Sequence, residues 1–185
     1  MPRAGLHTEA VVSAAANLAD ADGLAELTLA RLATVLGIRT PSLYAHVDGL
    51  GDLRARLGAR AARELGAVLK VAAAGRARGD ALRAVARAYR EYAHAHPGTY
   101  AAMQIATDSE EFQAAGAELI GLIVAVLRGY GLEDEHAIHA VRAIRSAMHG
   151  FVTLELEGGF GIPVDVDVSY DTLLDMLDAG LAATG

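Results

Sequence analysis

The stretch Leu27–Val47 reads LTLARLATVLGIRTPSLYAHV and predicts two short helices joined by a tight turn. Thr28 can cap the first helix and Gly37 can end it, because glycine readily adopts the left-handed backbone that closes many helices. Thr40-Pro41 can open the second helix, with Thr40 as N-cap and Pro41 at the first helical position, where its missing N–H does no harm. Apolar side chains at helical spacing would pack the pair as a helix-turn-helix: Leu32, Leu36, Ile38, Leu43 and Val47.

The turn that opens the second helix is expected to face outward. Its unpaired backbone N–H groups and the positive end of the helix dipole suit a phosphate, and such a helix fits a DNA major groove about 12 Å wide. Hydrogen-bonding side chains surround the turn: Arg39, Thr40, Ser42, Tyr44 and His46. A plain hairpin of two capped helices could carry the same residues, so DNA binding is predicted by the whole block and not by these five residues alone.

Length and composition exclude several classes of protein. The chain has 185 residues, of which 53% are hydrophobic and 21% charged, enough for one compact unit or two small ones. It contains no cysteine, which excludes disulfides, a thiolate nucleophile and cysteine-ligated zinc. Glu133, His136 and His139 could share one helical face, but an acidic helix start is ordinary dipole chemistry. We therefore expect no metal, no cofactor, no catalytic residues and no enzymatic activity.

Charge divides the chain unevenly. The net charge is −7, yet residues 1–70 hold eight Lys and Arg against seven Asp and Glu, a net charge of +1. The remaining residues carry a net charge of −8, and no Lys or Arg follows Arg145. Only the N-terminal part can therefore approach a polyanion at low electrostatic cost. The small residues and glycines of Val71–Gly79 indicate a joint, which predicts a DNA-binding domain over 6–70 and a second domain over 71–185.

The rest of the sequence favours helices throughout. Long windows free of proline and rich in Ala, Leu, Arg and Glu predict an all-α fold, with a helix from about 50 to 70 and further helices near 80–95, 97–105, 110–129, 133–157 and 169–182. Ile162–Val168 alternates valine with aspartate after several glycines and is interpreted as an extended loop. The longest purely apolar run, Leu119–Leu127, is shorter than the ~20 residues of a membrane span, and the N-terminus has no apolar leader. We expect a cytoplasmic protein.

The N-terminal part resembles the DNA-binding domain of the tetracycline-repressor (TetR) family of bacterial transcriptional regulators. The matching residues are Gly23-Leu24, Leu27-Thr28, Arg31-Leu32-Ala33, Leu36-Gly37-Ile38, Pro41-Ser42-Leu43-Tyr44 and His46-Val47. Tyr89–Met103 and Met148-His149-Gly150-Phe151 are similar to the C-terminal domain of a subgroup named for a Trp-His-Gly motif, with Met148 in the Trp position.

The resemblance implies a homodimer that binds palindromic operator DNA and leaves it when a small molecule occupies the second domain. Residues at positions that usually touch phosphates are Thr28, Ser42, Tyr44 and His46, and those that usually face bases are Thr40 and Pro41. Arg39 is added because its chemistry suits DNA. Four residues depart from the family pattern by removing or opposing a positive charge: Ala30, Ala45, Asp48 and Leu50. They predict weaker or more salt-sensitive binding, and they leave open an effector- or protein-binding helical dimer with weakened DNA binding.

Two further sets of residues are candidates for a ligand pocket and a dimer interface. An apolar or aromatic effector would be lined by aromatic, thioether and imidazole side chains: Tyr89, Tyr92, Tyr100, Met103, Phe112, His149 and Phe151. Each of them could equally be a core residue, and His149 a satisfied core histidine. Apolar residues on several faces of two helices predict an isologous four-helix interface, with burial inside one chain as the alternative: Leu119, Ile123, Val126, Ile138, Val141 and Ile144.

Overall fold

The computed structural model describes residues 6–105 and 107–184, and every regular element within these ranges is helical. The predicted all-α class is therefore confirmed. The α-helices of the described residues are α1 Thr8–Asp22, α2 Leu29–Leu36, α3 Leu50–Ala73, α4 Arg78–Ala95, α5 Pro97–Met103, α6 Glu110–Leu127, α7 Asp134–Leu156 and α8 Val166–Thr184.

The predicted caps of α2 form as the sequence indicates. The Thr28 hydroxyl accepts the N–H of Arg31 at 3.2 Å, and Gly37 ends the helix with a φ of 65° in the left-handed region. The N–H of Ile38 then donates to the carbonyl of Ala33 at 3.0 Å. This bond closes the C-terminal turn and aims the chain toward the next element.

The second helix of the predicted helix-turn-helix is the 3₁₀ helix Thr40–Ala45 and not an α-helix. Its N-cap is Arg39, so the prediction that Thr40 is the N-cap was wrong. The N–H of Ser42 donates to the carbonyl of Arg39 at 2.9 Å, and this tighter i to i+3 spacing moves the start of the helix back by one residue. Pro41 lies in the first turn, as expected. We call Thr40–Ala45 the recognition segment.

The corner between α7 and α8 differs from the predicted loop. Val166 and Val168 lie in the first turn of α8, so the interpretation of Ile162–Val168 as wholly extended was wrong at its end. The carboxylate of Asp165 accepts the N–H of Asp167 at 2.8 Å and lies 3.4 Å from the N–H of Val168. A capping aspartate therefore starts the helix inside the valine alternation.

The chain divides into two compact units. The first unit contains the residues up to Glu64 together with Ala95–Gly116, and the second contains Leu65–His94 together with the residues from Ala117 onward. Residues 95–116 thus pack with the N-terminal helices, whereas the predicted functional domains, 6–70 and 71–185, assign them to the second domain. The functional division remains a prediction.

The core of the first unit joins α1, α2, the recognition segment, α3 and α5. Its buried side chains include Val11, Leu18, Leu27, Leu32, Leu43, Val47, Leu53, Leu57 and Ala102. Leu36 and Ile38 pack against this cluster and are partly buried. The five residues predicted to pack the helix-turn-helix therefore meet in one core.

In the second unit, α4 packs with α7 and α8. The buried Tyr170 of α8 donates its hydroxyl to the carbonyl of Ala86 in α4 at 2.8 Å, which satisfies a polar group inside the core. The segment Glu110–Tyr130, which contains α6, has the length and apolar composition of a membrane-crossing helix, with a mean hydropathy of 1.5 and 11% of that window buried. Helices of soluble proteins also pass this test, so length and hydropathy alone do not assign α6 to a membrane.

Candidate DNA-binding surface and ligand cleft

The recognition segment is anchored by one side chain and presents its neighbours outward. Leu43 is completely buried, whereas the adjacent Tyr44 is 58% exposed. Ser42 is also exposed. Because Leu43 is fixed in the core, the segment can hold its outward side chains in a defined direction.

The seven predicted DNA-binding residues all lie in the first unit. Thr28, Arg39, Pro41, Ser42 and Tyr44 are exposed, and Thr40 and His46 are half-buried. Six of the seven are brought together at the recognition segment and its two flanks. Thr28 lies apart in sequence at the start of α2, where its hydroxyl also caps the helix.

Two arginines near the recognition segment differ in their surroundings. Arg31 pairs with the carboxylates of Asp22 at 2.6 Å and Glu26 at 2.8 Å. Arg39 forms no ion pair within the described part of the chain. The guanidinium of Arg39 is therefore available to an external anion, while that of Arg31 holds α2 to the preceding turn. The pairing of Arg31 was not predicted, because its acids lie at spacings of five and nine residues outside any regular helical repeat.

Carboxylates of the chain itself offset the positive end of the helix dipole at the start of α3. Asp52 accepts the N–H of Asp48 at 2.9 Å and pairs with Arg56 at 3.0 Å, a pairing that raises the pKa of the Arg56 guanidinium. The acidic Asp48 is exposed beside this turn. This helix end therefore offers less attraction to a phosphate than the recognition segment does.

A cleft of about 520 Å³ lies in the second unit among α4, α7 and α8. Charged side chains and one tyrosine line it: Arg87, Arg90, Glu91, His94, Glu155, Asp167, Tyr170 and Asp171. At its floor Arg90 forms two bonds with Glu155, one of them at 2.8 Å, and a third contact with Asp167 at 2.7 Å. The guanidinium also lies 5.0 Å from the centre of the Tyr170 ring.

The charges of the cleft stabilise one another. Hydrogen bonds from Arg90 and then from His94, whose Nε2 lies 2.9 Å from the carboxylate, hold the pKa of Glu155 below its ordinary value against the opposing effect of burial. The bond to Glu155 in turn raises the pKa of Arg90 above its usual range. Burial raises the pKa of Tyr170, because it disfavours the charged phenolate. The cleft therefore holds an ionised pair, Arg90 and Glu155, beside the uncharged hydroxyl of Tyr170.

The seven predicted pocket residues are divided between the units and none of them lines this cleft. Tyr100, Met103 and Phe112 belong to the first unit, and Tyr89, Tyr92, His149 and Phe151 to the second. Phe151 contacts one residue of the cleft lining, since its ring centre lies 4.8 Å from that of Tyr170. Burial, followed by the charge of Arg145, lowers the pKa of His149. The cleft was missed because its charged residues are spread over three helices and follow no recognisable motif.

The six predicted dimer-interface residues differ in exposure. Ile138 is 38% exposed, Val141 and Ile144 are buried within their own chain, and Leu119, Ile123 and Val126 are half-buried. Little of Val141 or Ile144 is left to contact a partner. Within the described residues, no three His, Cys, Asp or Glu side chains are grouped so that they could hold a metal ion.

Comparison with known proteins identifies close relatives. The family model described as "Tetracyclin repressor-like, C-terminal domain" matches residues 82–177. The chain is 41% identical over 181 residues to the HTH-type transcriptional regulator Rv0681 of Mycobacterium tuberculosis, covering 96% of this chain and 83% of the relative.

Solved structures share the fold. The TetR family protein ActR of Streptomyces coelicolor, crystallised with (S)-DNPA, has a TM-score of 0.71 and 20% identity over 98% of this chain and 99% of its own. BioQ, crystallised with its double-stranded DNA operator, has a TM-score of 0.70 and 24% identity over 97% of this chain and 99% of its own.

Proposed function

Because this chain belongs to the tetracycline-repressor (TetR) family of transcriptional regulators, we propose that it binds palindromic operator DNA as a homodimer and releases it when a small molecule binds. In a symmetric dimer, two recognition segments about 34–36 Å apart would meet successive turns of one face of the duplex. A ligand that prefers a dimer with another spacing would lower DNA affinity by the difference between its affinities for the two states. Such a protein acts in the bacterial cytoplasm, as a repressor.

The observation that carries the proposal is the recognition segment itself. A buried Leu43 beneath exposed Ser42 and Tyr44 is an arrangement that presents polar side chains to a groove while the fold stays intact. Arg39, which has no ion-pair partner among the described residues, adds a cation at the same place. BioQ, which shares this fold, has been crystallised with its operator.

A second copy of the chain is proposed to cover an uncharged stripe on α8. Exposed residues at helical spacing form this stripe: Val168, Thr172, Met176, Gly180 and Ala183. Met176 is 68% exposed and Val168 is 60% exposed. Asp171 and Asp175, beside this stripe, pair with arginines of α4, so their charges are compensated within the chain where the stripe meets its own copy. Ile138 of α7 and the half-buried Leu119, Ile123 and Val126 of α6 are proposed to contact the second copy as well.

The effector is proposed to be a small organic molecule bound by the second domain. ActR, of the same fold, has been crystallised with the ligand (S)-DNPA. The aromatic residues Tyr89, Tyr92 and Phe151 favour an apolar or aromatic compound. We also propose that the second domain belongs to the Trp-His-Gly subgroup.

DNA binding is tested by fluorescence anisotropy with a labelled duplex from the promoter region of the protein's own gene, at low salt. Saturable binding that weakens as salt rises is expected for the wild type. Ser42→Ala and Tyr44→Phe should weaken it severalfold without changing thermal stability, because both side chains are exposed. Absence of DNA binding in a folded, dimeric wild type would favour the effector- or protein-binding dimer instead.

The dimer is tested by sedimentation of Met176→Glu, which introduces a charge into the stripe and should shift the protein toward monomer and weaken DNA binding. Val71→Glu is the matched control, since Val71 is 76% exposed and lies outside the stripe. If both variants stay dimeric, the α8 stripe is not the interface.

A further inference from the structure

Helices α1 and α5, both in the first unit, approach each other closely at one glycine. A Cβ atom added to Gly98 would lie 2.0 Å from the carbonyl oxygen of Ala19 and 2.8 Å from the backbone nitrogen of Asp20. A side chain at position 98 would therefore force α1 and α5 apart. Only glycine permits this backbone approach.

The side chain of Asp20 closes the same junction. Its Oδ1 accepts the backbone N–H of Thr99 at 2.6 Å, and its Oδ2 lies 3.1 Å from Nδ1 of His96. The Asp20 side chain is only 19% exposed, whereas that of His96 is 46% exposed. A hydrogen bond to a carboxylate is stronger than one between neutral groups, so Asp20 holds the first turn of α5 in one position. We call Asp20, His96, Gly98 and Thr99 the α1–α5 clasp.

The clasp lies one helix away from the recognition segment. Val11 and Leu18 of α1 belong to the same buried cluster as Leu43, and α5 contributes Ala102 to it. Helix α1 therefore packs in the buried cluster that contains Leu43 and also carries Asp20 of the clasp. The chain passes from the second unit into the first between His94 and Ala95, immediately before the clasp.

We propose that Asp20 is a positioning residue for DNA binding: by holding the start of α5 against the end of α1, it sets the orientation of the recognition segment without touching DNA. The inference rests on the proposed function of the recognition segment. It gives residues 95–103, which lie outside the predicted domain 6–70, an indirect part in DNA affinity.

The test measures DNA affinity by anisotropy with the promoter-region duplex, alongside urea unfolding of the same variants. Asp20→Ala is expected to weaken DNA binding about tenfold, the effect of one lost charge-assisted bond. Asp20→Asn should restore most of the affinity, because its side-chain oxygen can still accept the N–H of Thr99. Gly98→Ala should act like Asp20→Ala. Thr99→Val is the matched control, because it keeps that N–H and removes only a buried hydroxyl that has no hydrogen-bond partner among the described residues.

Hydrogen exchange separates positioning from simple loss of stability. In Asp20→Ala, exchange should rise in the recognition segment at conditions where the protein remains folded. Wild-type affinity in Asp20→Ala overturns the positioning role while the proposed function stands. A loss of binding explained entirely by the unfolded fraction, or one that Asp20→Asn does not reverse, also overturns it. If the wild type binds no DNA, the proposed function itself fails and the positioning role fails with it.

Discussion

The arginines of α4 in the second unit and Arg39 in the first unit serve different purposes. On α4 of the second unit, Arg83, Arg87 and Arg90 each pair with carboxylates of α7 or α8. In the first unit, Arg39 beside the recognition segment has no such partner among the described residues. Pairing within the chain marks an arginine that holds helices together, and its absence marks one that can serve a ligand. The net charge of a unit does not show which of its arginines pair with carboxylates and which can bind an external anion.

The largest effect is expected from breaking the pair between Arg90 and Glu155. Both side chains are mostly buried, at 19% and 15% exposure, and removing one partner of a buried pair leaves a charge without full compensation. Glu155→Ala should lower the free energy of unfolding by about 3 kcal/mol, as measured by urea unfolding at fixed protein concentration.

The control for this variant is Asp171→Ala. Asp171 pairs with Arg87 at 3.0 Å, but both side chains are more than half exposed, so the loss should stay below about 1 kcal/mol. Equal losses in the two variants would mean that burial does not separate structural pairs from surface pairs in this unit.

The next effect concerns Arg39 and Arg31 of the first unit. Arg39→Ala should weaken DNA binding about tenfold, a typical effect of losing one arginine contact to DNA. If Arg39 contacts a phosphate, the slope of log affinity against log salt should also fall by about 0.9. An unchanged slope would indicate a contact with a base.

Arg31→Ala removes the same charge from the same unit and is the matched control. Because Arg31 is paired with Asp22 and Glu26, its loss should change DNA affinity less than twofold to threefold. A larger effect from Arg31 than from Arg39 would reverse the assignment of roles.

The sequence predicted the helix-turn-helix well because its signals are local. Thr28 and Gly37 act within one turn of their helix. The four-residue spacing of Leu43 and Val47 is enough to predict that they lie on one face. The sequence failed where the deciding partner is distant. The bonds of Asp20 to α5 and of Glu155 to Arg90 join residues 79 and 65 positions apart, and no periodicity reveals such pairs.

The smallest effect concerns pH and contrasts His149 of α7 with an exposed histidine of the same helix. Folding lowers the pKa of His149, chiefly through burial, so the unfolded chain takes up this proton first as the pH falls. The stabilisation is complete above the ordinary histidine pKa of about 6.5 and is lost as the pH falls through the lower folded value. His149→Gln should therefore lose less stability than the wild type between pH 7 and 5 in urea unfolding. His136→Gln, altered at an exposed position, should follow the wild-type profile. Identical profiles for all three proteins would show that solvent screens the partly buried His149 as effectively as it screens an exposed histidine.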